Sequence, residues 1–421
     1  MTEARPLRIL HVVQGYTPAV GGTERVIQRL SEELVSQFGD EVTVFTTDCL
    51  SAEAFPRPAR PRLTAGWENL SGVAVRRFRV FRSLGPLLAP IQDLAFRLNL
   101  PFNQFLRTWY GGPIIPGLAS AIRQHSADLV VASSFPLRHM YQALHAAHAS
   151  GRPCVLIGGM HPEDRWGYDR GMIHNAIRQS DLYVAYTGFE ARHVISHGAD
   201  IEKVEVIPLG VDPEPFVGAN SADAKRALGL HGYPVIGFIG QLGIYKGVDT
   251  ILEAMPTIWR RQPETRLLIG GARTEFATQI EARVARYPAE DRRKILLRYD
   301  FEEEAKPELF AALDAFVYPS GYESFGVAFL EAWAAGKPVI GCRSGAVPDV
   351  VREGQDGLLV PFRDADALAE ATLGLLANPD WARALGRAGR ERVESRHGWK
   401  SVAGRFRQAY SRVLSSPPRP S

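Results

Sequence analysis

The chain has 421 residues, 45% hydrophobic and 23% charged, with a formal net charge of only +3. Such a length is too great for one ordinary core and implies two domains of roughly 150–200 residues. The mixed composition is that of a globular protein and gives no global charge argument for nucleic-acid binding. Three widely spaced cysteines (Cys49, Cys154, Cys342), no signal-like start and no run of about 18 apolar residues make the expectation a cytoplasmic, non-spanning protein.

The first strand is predicted at Arg8–Val13, followed by a helix with Thr23 as N-cap and an apolar stripe of Val26, Ile27, Leu30 and Leu34. Further strands are predicted at residues 42–45, 129–131, 155–157, 182–184 and 204–207, with a loop at 51–61. Between Gly72 and Ala127 the basic residues are Arg76, Arg77, Arg79, Arg82, Arg97, Arg107 and Arg123, and Asp93 is the only acid. With interleaved Leu, Phe, Trp109 and Tyr110, this stretch suits contact with an anionic membrane surface; the plainer reading is a solvated loop and helix face. Residues 83–118 break the β-α rhythm and read as a partly helical insertion. The run 208–213 is the predicted linker. A second β-α series follows, with strands at 234–239, 267–269, 295–297, 316–318, 339–340 and 358–360. Strands alternating with helices imply parallel sheets covered on both faces, with ligands beyond the carboxyl ends of the strands.

The densest chemistry lies in Val317–Ile340. Glu323 sits on a strand-to-helix loop, Glu331 inside the following helix, and Ser324-Phe325-Gly326-Val327 at the helix start. A helix N-terminus offers free N–H groups to a phosphate, and carboxylates accept hydrogen bonds from sugar hydroxyls, so the pattern describes a nucleotide-sugar pocket. The loop Gly240-Gln241-Leu242-Gly243-Ile244-Tyr245-Lys246-Gly247 and the pair Gly21-Gly22 before Thr23-Glu24 each join a strand to a helix in the same manner.

The context P-S-x-x-E-S-F-G-x-x-x-L-E-A-x-A-x-G-x-P-V-I closely resembles the E-x7-E motif of GT-B glycosyltransferases, in particular the retaining family 4, and the likeness extends over nearly the whole chain. It implies an α/β GT-B fold of two Rossmann-like, doubly wound domains facing a cleft. Their expected extents are 1–208, for the acceptor, and 209–400, for the nucleotide sugar. A final helix at 401–414 returns to the first domain and 415–421 is a disordered tail. It further implies a hexosyltransferase that uses a UDP- or GDP-sugar, retains anomeric configuration, and needs no cofactor or metal. In that assignment Glu323 and His161 orient the transferred sugar and Glu331 holds the ribose. Lys246, Gly21, Gly22, Gly240 and the amides near Ser324, Phe325, Gly326 and Val327 serve the diphosphate. Gln241 stands where the family has Arg, and losing such a contact costs about 2–4 kcal/mol of transition-state stabilisation. Family habit and the Arg/aromatic stretch favour a lipid-linked saccharide or glycan acceptor in cell-envelope, glycolipid or exopolysaccharide synthesis. That places the enzyme peripherally on the inner face of the plasma membrane. A UDP-GlcNAc epimerase and a non-catalytic nucleotide-sugar-binding protein are the alternatives.

Other signals are set aside. Asp364-Ala365-Asp366 has D-x-D spacing but opens a helix, where acids are expected. His193 and His197 are spaced i,i+4 with no third ligand evident in the sequence, so a helix surface is preferred to a metal site, as for His145 and His148. Asn69-Leu70-Ser71 is a sequon without secretory context, and neither a P-loop nor G-x-G-x-x-G is present.

Overall fold

The structure is a computed structural model that describes residues 5–19, 21–57 and 59–416. It divides into two compact units, one running to Pro208 and resuming at Trp399, the other spanning Leu209–Gly398. Each is built on its own sheet, and the two sheets follow the same winding rule.

The strands of the first unit are β1 (Arg8–Val12), β2 (Glu41–Thr47), β3 (Gly66–Leu70), β4 (Val73–Phe78), β5 (Leu129–Ser133), β6 (Cys154–Ile157), β7 (Leu182–Ala185) and β8 (Val204–Val206). They form one sheet in the order β3-β4-β2-β1-β5-β6-β7-β8, parallel except where β3 runs antiparallel to β4. Val, Leu and Ile dominate β5 and β6, which are buried along their whole length, as a sheet covered by helices on both faces requires. The β3–β4 hairpin has no counterpart among the predicted strands. Ser71 and Gly72, both at positive φ, make the two-residue turn that joins them, and Asn69 accepts a hydrogen bond from the Gly72 amide through Oδ1. The sequon therefore belongs to a tight turn, and part of the stretch read as a solvated loop is β4, a strand paired on both sides.

The helix Gly22–Phe38 buries Val26, Ile27, Leu30 and Leu34 as predicted, but it starts one residue before Thr23 and its N-cap is Gly21 in extended conformation. Residues 83–118 hold two helices packed together, Gly85–Arg97 and Asn103–Gly111. Three of the seven arginines assigned to a lipid-facing surface are instead buried. Arg77 pairs with Glu68 and donates to the carbonyls of Tyr16 and Thr17; Arg82 donates to the carbonyls of Arg60 and Pro61; Arg107 donates to the carbonyls of Arg165 and Trp166. A guanidinium has five donors, so it serves as a buried cross-tie between carbonyls that would otherwise lack partners. Arg79, Arg97 and Arg123 are exposed and Arg76 is half-buried.

The final helix, Trp399–Ser415, packs on Gly22–Phe38 through Val402, Ala403, Phe406 and Tyr410. Ser415, expected in the tail, still belongs to this helix, and residues 417–421 lie outside the described residues. Arg407 locks the packing. Its guanidinium donates to both oxygens of buried Asp40 at 3.0 and 3.1 Å, and Asp40 also accepts the Leu7 amide at 2.8 Å.

The second unit has β9 (Val235–Ile239), β10 (Arg266–Gly271), β11 (Ile295–Tyr299), β12 (Ala315–Val317), β13 (Val339–Cys342) and β14 (Gly357–Val360). All pair in parallel in the order β11-β10-β9-β12-β13-β14. Counted within the unit this is 3-2-1-4-5-6, the dinucleotide-fold order, whose direction of winding reverses between β9 and β12. In the first sheet the reversal lies between β1 and β5. Asp364 caps the helix Ala365–Ala377 through the Ala367 amide, which accounts for the D-x-D spacing.

Replacing Arg407 by Met leaves the Asp40 carboxylate buried without its cation. Stability measured by urea unfolding is expected to fall by about 3–5 kcal/mol. The double change Arg407→Met with Asp40→Leu should recover much of that loss.

Candidate functional site

Winding reversal makes the first loops of β9 and β12 neighbours at the carboxyl edge of the second sheet. That is where an open parallel sheet leaves a crevice, because the flanking helices run to opposite faces. The β9 loop is Gly240–Gly247 and the β12 loop runs from Tyr318 to Gly326. They are bonded together: the Gly321 amide donates to the Tyr245 carbonyl at 2.8 Å, Ser320 Oγ donates to the same carbonyl at 3.3 Å, and the Tyr245 and Tyr322 rings lie 4.2 Å apart. The Ser344 hydroxyl, on the loop after β13, donates to the Gly321 carbonyl at 2.7 Å.

Lys246 and Glu323 meet within this pair of loops. Lys246 Nζ is 2.6 Å from Glu323 Oε1, and the two side chains are 21% and 8% exposed. Tyr318 stacks on Phe238 beneath them; burial pushes its hydroxyl well above the usual phenol range, and neighbouring Glu323 adds to that shift. Burial, with Glu323 a second cause, likewise holds the Cys342 thiol up at about 12, so it stays protonated and unreactive.

Glu331 lies one turn into the helix Val327–Ala334 and is not alone either. Lys306, from the helix Lys306–Ala311, places Nζ 3.0 Å from Glu331 Oε1 and 2.8 Å from Glu303. Burial pulls the Lys306 ammonium down, but the two carboxylates outweigh it and the net shift is upward. Nothing in the sequence near Glu331 signals Lys306, which is 25 residues away.

Gly326 caps the Val327–Ala334 helix at φ +90°, and a Cβ there would sit 2.8 Å from the Phe329 ring. The first-turn amides have no partner inside the helix. Phe325 contributes only main chain to this opening, since its ring is buried 6.0 Å from His397. Ser324 and Val327 are half-buried. Gly247 turns the β9 loop into its helix at φ +81°, where any side chain would strike the Pro319 carbonyl. Gly240 lies against the Tyr318 ring, and Gln241 is exposed.

The remaining predicted residues belong to the first unit. A Cβ on Gly21 would collide with the carboxylate of Glu24, whereas Gly22 has open space around it. Glu24 is thus a buried anchor, its carboxyl raised by burial, and its closeness alone already requires glycine at position 21. His161 follows Gly159, which sits at φ +103°, and its ring lies edge-on to Tyr168 at 5.6 Å. The loop is held from below by Glu190, which sequence reasoning missed. This buried carboxylate accepts from the amides of Gly159 (2.8 Å), Met160 (3.0 Å) and Tyr186 (2.9 Å) and from the Tyr183 hydroxyl (2.7 Å). His148 pairs with Asp181 at 3.0 Å and His145 with the Tyr141 carbonyl at 2.6 Å, so both are structural. His193 and His197 do acquire a third histidine, His174.

Two sequence profiles match successive parts of the chain: "Glycosyltransferase Family 4" over residues 20–215 and "Glycosyl transferases group 1" over residues 220–392. A GDP-mannose-dependent alpha-(1-6)-phosphatidylinositol monomannoside mannosyltransferase of Mycobacterium tuberculosis is 26% identical over 95% of this chain and 97% of its own. A D-inositol 3-phosphate glycosyltransferase of Segniliparus rotundus is 31% identical over 56% of this chain, which spans about half of that relative's length (54%). Among solved structures, sucrose-phosphate synthase from Thermosynechococcus elongatus aligns with a TM-score of 0.72 at 22% identity, covering 97% of this chain and 100% of the other. Anabaena Alr3699/HepE in complex with UDP aligns at 0.70 and 17%, covering 96% and 100%. Both alignments give the GT-B fold.

The two loop glycines make a paired test. Gly247→Ala forces a non-glycine residue to positive φ against the Pro319 carbonyl, and a loss of about 2 kcal/mol or more is expected in chemical denaturation. Gly243→Ala, whose Cβ would meet only Lys246 Cγ at 3.8 Å, should stay within about 0.5 kcal/mol of the parent.

Proposed function

The chain belongs to the GT-B glycosyltransferases of group 1, family 4, and is a hexosyltransferase; we propose that it takes the hexosyl unit from a UDP- or GDP-sugar and delivers it to a glycolipid acceptor with retention of configuration. The observation that carries this reading is the Lys246–Glu323 pair at the winding reversal, beside a glycine-capped helix that bears Glu331.

In the proposed chemistry the bond from the anomeric carbon to the diphosphate oxygen breaks and a bond to the acceptor oxygen forms on the same face. The acceptor proton passes to the departing diphosphate. Lys246 and the first-turn amides after Gly326 oppose the charge that develops on that leaving group, where such fixed donors are worth most. A bound donor draws the Lys246 ammonium into contact with the diphosphate and leaves Glu323 able to accept sugar hydroxyls. Glu331 accepts the ribose hydroxyls, and Lys306 holds its carboxylate in position. Gly21, Gly22 and His161 take part by resemblance: Gly22 by its open surroundings, His161 as a group orienting the sugar. Gln241 brings no charge, so Lys246 is the ammonium on which leaving-group stabilisation rests.

The glycolipid acceptor is supported by the relative named for phosphatidylinositol monomannoside and by the surface of the two-helix insertion; the relative named for D-inositol 3-phosphate marks a water-soluble acceptor instead. Leu87, Ile91, Leu94 and Leu98 recur at helical spacing and are 52–65% exposed; Phe102 and Phe105 continue the apolar face. An exposed stripe of this kind is expensive in water and is the mark of a helix that lies in a membrane interface. A groove of about 450 Å³ lined by Pro56, Arg57, Arg60, Pro86, Ala89 and Tyr110 lies at the start of the same helix. The apolar stripe, rather than the arginine run, is the main support for peripheral membrane contact. No helix among the described residues is long and apolar enough to cross a membrane.

Thermal shift against a panel of UDP- and GDP-sugars tests the donor. The right donor at 100 times its dissociation constant should add about 2.7 kcal/mol of stability, and no response to any nucleotide sugar refutes the reading. Glu331→Ala should weaken nucleotide binding, whereas Glu323→Ala should lower transfer far more than it lowers nucleotide affinity; equal effects on both would overturn the division of roles. For the membrane face, Ile91→Asp with Leu94→Asp should abolish cosedimentation with anionic vesicles while leaving the thermal midpoint within a few degrees.

A further inference from the structure

In the first unit, the helices Gly171–Gln179 and Gly188–Ser196 bring three histidines together that no part of the proposed transfer uses. His174 comes from the first helix, His193 from the last turn of the second, and His197 from that helix's C-cap. One ring nitrogen of each can be chosen so that all three lie within 4.8 Å of one another. His174 and His197 are stacked at 4.1 Å with an 11° interplanar angle, and His193 is 4.4 Å from His197 and 5.4 Å from His174.

Two details point to a ligand. His197 Nδ1 lies 2.8 Å from the His193 carbonyl and donates its proton there, which leaves the Nε2 lone pair outward. This is the backbone-carbonyl contact that sets the tautomer of metal-bound imidazoles. His174 Nδ1 is buried and has no hydrogen-bond partner, an uncompensated polar atom beside two other imidazoles. Tetrahedral zinc, with Zn–N of about 2.0–2.1 Å, would draw the nitrogens to roughly 3.3–3.4 Å apart. Rotation of the imidazoles of half-buried His193 and exposed His197 supplies that movement. Arg178, which donates to the His197 carbonyl at 2.9 Å, opposes a cation here, while the charge of Asp169 favours one.

We infer that His174, His193 and His197 form a three-imidazole site for a divalent transition-metal ion of the zinc type, clamping two helices together and leaving one coordination position for water. Imidazole donors suit Zn²⁺, Co²⁺ and Ni²⁺, whereas oxygen-seeking Mg²⁺ and Ca²⁺ find no carboxylate in the set. The placement gives the clamp a consequence. The second helix carries Glu190, three residues before His193, and Glu190 holds the amides of Gly159 and Met160 next to His161. A metal at one end of this helix therefore stiffens the support of the His161 loop at the other.

The test uses the full chain without a histidine tag. Titration with Co²⁺ should give visible absorption bands of four-coordinate cobalt at one ion per chain, displaced by Zn²⁺, and Zn²⁺ should raise the thermal midpoint. His197→Gln and His193→Gln, at accessible positions, should each lower Zn²⁺ affinity by about 100-fold or more, since even outer-shell changes cost 10–100-fold. His174→Leu should abolish the cobalt bands and remain folded by circular dichroism. A parent chain without cobalt bands, or Zn²⁺ affinity unchanged in His197→Gln and His193→Gln, reduces the cluster to a histidine stack and overturns the proposal. Donor-induced thermal shift, expected to persist in His197→Gln, keeps this outcome separate from failure of the transferase reading.

Discussion

The ion pair between Lys246 and Glu323 is the constraint around which the second unit is arranged. Two ions so little exposed can persist only in contact, because desolvation of either alone is severe. They meet only if the β9 and β12 loops are adjacent, which the reversal of winding secures. The loops must also approach closely, which the Gly321–Tyr245 hydrogen bond and the glycine at 247 secure. The fold itself therefore holds the two charges in place. In the reading proposed above, a diphosphate takes over the ammonium and sugar hydroxyls compensate the released carboxylate. Glu331 with Lys306 repeats the device a helix turn away.

In the first unit, buried carboxylates do the equivalent work on the main chain. Glu24 lies under Gly15 and Gly21, and Glu190 gathers the amides of the turn before His161. Arg77, Arg82 and Arg107 tie loops by their carbonyls. Each is a charged group spent on loop geometry, and each explains why a loop without regular structure holds one shape. The polar side chains that look free for ligands in the sequence are partly consumed in this way. Leu87, Ile91, Leu94, Leu98, Phe102 and Phe105 of the insertion are on the surface, whereas Ala95, Ile115 and Leu118 are buried.

The legible parts of the sequence were those governed by local periodicity. Apolar runs alternating with helix-like segments marked the parallel strands, and the stripe Val26, Ile27, Leu30, Leu34 marked a helix face. The spacing of Glu323 and Glu331 around a helix start pointed at a sugar nucleotide, and the profiles that match the chain are those of glycosyltransferases. The β3–β4 hairpin escaped because a Ser-Gly turn is a weak signal and the strands are short and half exposed. The arginine run misled because charge in a sequence does not reveal burial: a guanidinium buried against two carbonyls and one exposed to solvent have the same letter. His174 escaped because a metal set is a matter of distance in space, and it is 19 positions before His193 in the chain.

What the sequence by itself determined is the alternation of parallel strands and helices, the doubly wound sheets and the loops on which the candidate site residues stand. Those properties follow from neighbours one to eight positions apart, within one strand, turn or helix. What only the tertiary structure decided is which charges are paired and which surfaces are bare. Lys246 meets Glu323 across 77 positions and Arg407 meets Asp40 across 367. Such pairings depend on where the sheet reverses and how the helices pack on it, and no local pattern encodes them.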